Sequence, residues 1–191
     1  LEPEKNVCTV AAQALLNSLE KKPSNGYSFS ITKKVAAGSG LGSSASSSAA
    51  AVVALNELLG SPFSRHELIP FAMKGEALAS GTEHADNVAP SILGGFTLVQ
   101  SYEPLRVVNL HYPEDLVATI VHPHVEVKTA DSKRILRQNI PLKTAITQWA
   151  NVGGLVAGLA QEDFELIGHS LQDVVAEPTR SMLIPMYEQV K

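Results

Sequence analysis

A chain of 191 residues is long enough to bury a core and to form one or two compact units. With 45% apolar and 18% charged residues it has an ordinary globular balance, and its net charge of −4 supplies no basic field for nucleic acid. A single cysteine, Cys8, excludes an internal disulfide and fits a reducing, cytoplasmic compartment.

Leu1 to Asn6 has no initiator Met, no apolar core and no cleavage pattern, so it does not read as a signal peptide. From Asn6 to Leu19, apolar residues at helical spacing (Val7, Val10, Ala11, Ala14, Leu15) predict an amphipathic helix that buries Cys8. A turn over residues 21–26 leads to Tyr27–Lys33, whose period-two alternation predicts a half-buried strand. Next comes the glycine-rich stretch, and then a helix from Ser44 to Leu59 that stops at Gly60. Val35 to Asn56 holds no charged residue, about the length of a membrane span, yet three glycines and six serines make insertion unexpected.

Ser64 and Glu67 form a capping-box pattern for a third helix reaching about Ala79, with a kink or a later start expected at Pro70. A loop and a short helix fill 81–95, followed by a strand at Phe96–Gln100 and another at Leu116–Val121. Asp131–Arg137 reads as a short helix; Leu142–Gln161 and Asp163–Val175 read as long ones. In the first of these, Gly153, Gly154 and Gly158 suggest close helix approach, and Trp149 reads as core. A boundary near 111–115 divides the chain.

The informative stretch is Gly38-Ser39-Gly40-Leu41-Gly42-Ser43-Ser44, between a predicted strand and a small-residue helix. Glycines allow positive φ and leave backbone N–H groups open to a phosphate. The helix behind them adds free first-turn donors and the positive end of its dipole. It is not a Walker A loop, because no Lys precedes the serine pair. Nor does its glycine spacing fit the dinucleotide fingerprint. A flexible linker is the plainer alternative, but Leu41 and the two patterned flanks weigh against it.

Residues 38–45 (Gly-Ser-Gly-Leu-Gly-Ser-Ser-Ala) resemble the central ATP-binding motif of the GHMP kinases. A second block contains Glu76, Ser80-Gly81, His84, Asp86-Asn87-Val88-Ala89-Pro90 and Gly94-Gly95. It is similar to the branch of that family that phosphorylates L-homoserine on the way to threonine. The resemblance extends to His122-Pro123, Thr129, Asp173 and Glu177-Pro178-x-Arg180. It implies an α/β (α+β two-layer) fold. Residues 1–113 would form an S5-like nucleotide-binding domain with a left-handed βαβ unit. Residues 114–191 would begin a ferredoxin-like domain. The family's N-terminal and C-terminal glycine-rich motifs have no counterpart, so the chain is expected to be an internal portion of a longer kinase.

The resemblance also implies the site. ATP would be held by Gly38, Ser39, Gly40, Leu41, Gly42, Ser43 and Ser44, with Asn6 and Lys33 near the adenosine. Ser44 and Glu76 would hold Mg²⁺, which takes oxygen ligands and keeps several waters. Homoserine would meet His84, Asp86, Asn87, Thr129, Lys133 and Arg180, with Asp86 on its ammonium and Thr129, Lys133 and Arg180 on its carboxylate. Asn87 cannot be a base. It would orient the hydroxyl while the γ-phosphate takes the proton, and His84 is the alternative base. Two positions depart from the family pattern. Ala36 stands where a proline is usual, and Lys133 replaces an arginine, keeping charge but losing the bidentate fork, with Arg134 beside it as a substitute. A homodimer is compatible with this reading; nucleic acid and membrane are not expected partners. Another small-alcohol kinase of the family (mevalonate-type or sugar) and a non-catalytic ligand-binding relative remain open. Intact Ser44, Glu76 and Asp86 argue against the latter.

Overall fold

A computed structural model describes residues 2–35, 39–121 and 134–191, which divide into two compact units, Leu1–Asn109 and Leu110–Lys191.

In the first unit three helices pack on one another. They are α1 (Val7–Ser18), α2 (Ser43–Leu58) and α3 (Arg65–Ser80). α1 buries Cys8, Ala11, Ala12 and Leu15, the single stripe that its spacing prescribes. α2 buries Ala45, Ala49, Val52 and Leu55, and α3 answers with Leu68, Ile69, Ala72 and Met73. The leucines Leu15, Leu55 and Leu68 are almost wholly shielded from water. Burial of each is worth about 1.5–3 kcal/mol. Because much of this core is alanine, backbones must approach closely, and at one point the contact is extreme. A Cβ on Gly75 would lie 2.3 Å from the Val7 carbonyl oxygen and 2.7 Å from the Ser48 hydroxyl.

The helix limits follow from local chemistry. Asn6 caps α1 by accepting the Cys8 N–H at 2.9 Å. Ser64 and Glu67 close a full capping box on α3. α3 starts at Arg65 and runs through Pro70, so no later start occurs. It ends where Gly81 turns left-handed at φ +80°.

A short helix α4 (Val88–Leu93) sinks Val88, Ala89 and Ile92 into the same core. It leads into β1 (Phe96–Tyr102), which pairs with β2 (Leu105–Leu110) as a two-stranded sheet. The two-residue link makes the pair an antiparallel hairpin. β2 was not expected from the sequence.

Tyr27–Lys33 joins no ladder, contrary to expectation. The alternation is real, because Tyr27 and Phe29 pack on the core while their neighbours face water. A strand, however, is defined by pairing, and no described strand lies beside it. Leu116–Val121 likewise forms no strand, and its Val117, Ile120 and Val121 side chains are exposed.

The second unit's described elements are α5 (Leu142–Gln161), α6 (Phe164–Ser170), α7 (Glu177–Arg180) and α8 (Tyr187–Val190), with a 3-10 turn at Ser181–Leu183. α5 matches its expected limits, whereas α6 ends five residues short of Val175. There Asp173 Oδ1 accepts the N–H groups of Val175 and Ala176 and diverts the chain into a turn. Gly154 and Gly158 allow α6 to close on α5, since a Cβ on Gly154 would meet the Ser170 hydroxyl at 2.4 Å. Gly153 faces open space. Trp149 is a correction to the expected core: it is 65% exposed, in an outward row with Leu142 and Ile146. Most of the short helix expected at Asp131–Arg137 lies outside the described residues. No described helix is long and apolar enough to cross a membrane.

Candidate active site

The glycine loop delivers the chain into α2 in an unusual way. Gly40 and Gly42 take φ of +75° and +67°, and Gly42 is the N-cap of α2. A glycine N-cap brings no side-chain acceptor, so the first-turn N–H groups keep no internal cap. That leaves them to an external anion, with the helix dipole in support. Ser43 does not compete for it: its hydroxyl donates to the Val35 carbonyl at 2.9 Å. Ser46 and Ser47 return their hydroxyls to the Ser43 carbonyl, at 3.1 and 2.8 Å. Ser44 stays half-buried in the first turn, Ser39 accepts from the Leu41 N–H at 3.4 Å, and Leu41 is exposed.

Beside this turn lies a cleft of about 290 Å³ between the 29–35 segment and α2, lined among others by Phe29, Thr32, Lys33, Ser43 and Ser47. Cys8 closes its floor, donating to the Ser47 carbonyl at 3.3 Å. Burial pushes the Cys8 thiol up from its ordinary value, against the opposing pull of the Lys33 charge. It is therefore a structural thiol. Asn6 lies beyond Cys8 and spends its side-chain oxygen on the α1 cap.

On the other flank stands the 81–87 loop. Asn87 packs its side chain against Gly42, with Asn87 Cβ and Oδ1 each 3.3 Å from where a Gly42 Cβ would sit. Although Asn87 is the N-cap of α4, its side chain makes no cap. It is thus held by the loop contact. Asp86 uses Oδ1 to accept the Asn87 N–H at 2.9 Å, and both side chains face solvent. His84 pairs its Nε2 with Thr82 Oγ1 at 2.7 Å. Tyr102, reaching over from β1, accepts the Ala85 N–H at 3.3 Å and pins the loop at its middle.

Glu76 is the anomaly. It is 8% exposed on α3, and its Oε2 is buried without a hydrogen-bond partner among the described residues. A buried carboxylate oxygen left open is costly unless something cationic or donating meets it. Glu76 and the first-turn hydroxyl of Ser44 are both oxygen donors of the kind that Mg²⁺ takes.

The structure brings together Gly40, Leu41, Gly42, Ser43, Ser44, Asp86 and Asn87 around one turn, with Lys33 on the adjoining cleft. Arg180 is exposed at the end of α7 in the second unit, and Arg134 is exposed there too. Gly38, Thr129, Lys133 and the Ala36 departure lie outside the described residues. Motif reading did not single out Tyr102, which holds the 81–87 loop, or Gly75 and Ser48, which meet each other, Gly75 standing next to Glu76 in the sequence of α3. Only Gly75, a glycine in mid-helix beside Glu76, carried a signal in the sequence.

Comparison with known proteins bears on the family and the fold. Residues 6–95 match the family described as GHMP kinases N terminal domain. The chain belongs to the GHMP kinase family, and its fold is that family's fold over part of the relatives' length. Among the relatives it resembles over nearly its whole length are homoserine kinases. That of Chloroherpeton thalassium is 47% identical over 194 residues, covering all of this chain and 61% of the relative. That of Methanococcus maripaludis is 41% identical over 189 residues, covering 98% and 62%. The crystal structure of homoserine kinase from Cytophaga hutchinsonii superposes with a TM-score of 0.90 at 50% identity, covering all of this chain and 60% of that one. The chain thus spans about three fifths of the length of the curated relatives it matches.

Proposed function

We propose that this chain is the nucleotide- and substrate-binding part of a cytoplasmic, ATP-dependent homoserine kinase. It would transfer the γ-phosphoryl group of ATP to the side-chain hydroxyl of L-homoserine, giving O-phospho-L-homoserine and ADP on the way to threonine. The observation that carries this reading is the convergence on the α2 N-terminus. There Asn87 packs against an uncapped glycine turn, and the same compact unit also holds the open buried carboxylate of Glu76. The homoserine kinases at 47–48% identity support the same substrate.

In this reading Lys33 and the cleft beside it receive the nucleoside, with Asn6 behind Cys8. The backbone of Gly38 to Ser44 receives the phosphates. Bound Mg²⁺ would neutralise the charge that gathers on the phosphate oxygens during transfer. Glu76 and Ser44 would hold it from α3 and α2. Asp86 has one carboxylate oxygen left for the substrate ammonium, while Thr129, Lys133 and Arg180 take its carboxylate. Asn87, fixed by Gly42, orients the hydroxyl oxygen toward phosphorus. As the new P–O bond forms and the bond to ADP breaks, the hydroxyl proton passes to a γ-phosphate oxygen, because no carboxylate stands at Asn87. His84 is the other candidate acceptor.

We further assign residues 1–113 to the S5-like nucleotide domain, including its left-handed βαβ unit. Residues 114–191 we assign to the start of a ferredoxin-like domain, and a homodimer is part of the same proposal. The exposed row Leu142, Ile146 and Trp149 supports the domain assignment, because it presents the apolar face that a helix in such a domain lays on its sheet. The proposal is tested with purified full-length protein and Mg-ATP. ADP release that needs L-homoserine, and is not replaced by mevalonate or galactose, is the expected result.

A further inference from the structure

The Ser48 hydroxyl behaves unlike those of its neighbours Ser46 and Ser47. Ser46 and Ser47 return theirs to the Ser43 carbonyl, whereas the Ser48 hydroxyl has no hydrogen-bond partner among the described residues. It is also fully buried, at 0% exposure. It lies in the α2–α3 seam against Gly75, whose added Cβ would sit 2.7 Å from Ser48 Oγ. The next residue in α3 is Glu76, whose Oε2 is the other buried, unpartnered side-chain atom among the described residues. Two such atoms on adjacent elements, one a donor and one an acceptor, are an expensive pair to leave apart. Ser48 and Ser44 are one turn apart on α2 and so share a face.

We infer that Ser48 is a positioning residue for Glu76. Its hydroxyl donates toward Oε2 through one buried water, which orients the carboxylate toward the cation. A side chain at residue 75 would collide with the Ser48 hydroxyl, so glycine there is what lets that hydroxyl sit in the seam. A water joining these atoms would gain two polar partners, the minimum that holds one in a protein interior. The inference rests on the kinase reading above, because it presupposes a cation at Glu76. It makes Ser48 a determinant of metal affinity rather than of nucleotide affinity.

The test uses full-length protein, ADP and Mn²⁺ as the probe, with bound Mn²⁺ read by electron paramagnetic resonance. Ser48→Ala should weaken Mn²⁺ binding to the ADP complex roughly tenfold, the worth of one hydrogen bond to a charged group. Metal-free ADP affinity should stay near wild type, with at most a small drop in melting temperature from the lost hydrogen bond. Ser48→Cys, close in size but a weak donor, should behave the same way and guards against a packing effect peculiar to alanine. Unchanged Mn²⁺ affinity in both variants overturns the role of Ser48 alone. Loss of metal-free ADP binding together with a lowered melting temperature also overturns it, by making Ser48 a packing residue. A wild-type protein whose ADP complex takes up no Mn²⁺ overturns the kinase reading and this inference with it.

Discussion

Asn87 and Gly42 touch: the position of a Gly42 Cβ lies 3.3 Å from Asn87 Oδ1 and 3.4 Å from Asn87 Cγ. This one contact joins the phosphate-facing turn to the loop that bears the substrate candidates. Gly42→Ala would strain the left-handed φ of +67° and press on Asn87 at once. Holding a non-glycine residue there costs about 1–2 kcal/mol. The variant should melt earlier, bind ADP more weakly and show a higher KM for homoserine. Calorimetry and steady-state kinetics read these effects.

Glu76→Gln keeps the volume and removes the charge. If Glu76 holds the cation, the Mg²⁺ dependence of nucleotide binding should weaken by tenfold or more, about 1.4 kcal/mol. Without the cation, stability should hold or rise, because an open buried carboxylate oxygen is relieved of its charge. Titration of Mg²⁺ against a fixed ADP concentration, alongside metal-free melting curves, separates the two effects.

Gly75→Ala probes the seam itself. The added methyl would fall 2.3 Å from the Val7 carbonyl and 2.9 Å from Ala11 Cβ, and the carbonyl is backbone that cannot rotate away. Overpacking of this kind costs about 1–3 kcal/mol. The substitution favours helix in an isolated peptide, so lowered stability here isolates the tertiary contact. Urea unfolding measures it.

Tyr102→Phe removes the acceptor of the buried Ala85 N–H. An orphaned buried donor costs about 1–3 kcal/mol, and the 3.3 Å length of this bond points to the low end. The loop between His84 and Asn87 should loosen, raising the KM for homoserine more than it lowers kcat. ATP affinity measured alone should be unchanged.

Much of this was legible in the sequence because it is local. The capping box of Ser64 and Glu67, the Gly81 stop, the stripe of α1 and the glycine loop each depend on neighbours within a few residues. Tyr27–Lys33 failed for the opposite reason: alternation reports a buried face, but pairing needs a partner elsewhere in the chain. β2 was missed although Leu105 and Val107 alternate with Arg106, because alternation alone does not show pairing across the Glu103-Pro104 link. Trp149 looked like core by residue type, yet α5 turns it outward. The candidate site residues were proposed from motifs; the contact of Asn87 with Gly42 and the isolation of Ser48 and Glu76 could not be. Those depend on how α2, α3 and α4 meet, which no window of sequence contains.

The most direct measurement is ADP release by full-length protein with Mg-ATP, read against L-homoserine, mevalonate and galactose in parallel. Turnover with L-homoserine alone, with phosphorus NMR showing one O-phospho-L-homoserine for each ADP, is the expected outcome. Preferred turnover of another alcohol, or tight nucleotide binding with no acceptor used, would contradict homoserine phosphorylation.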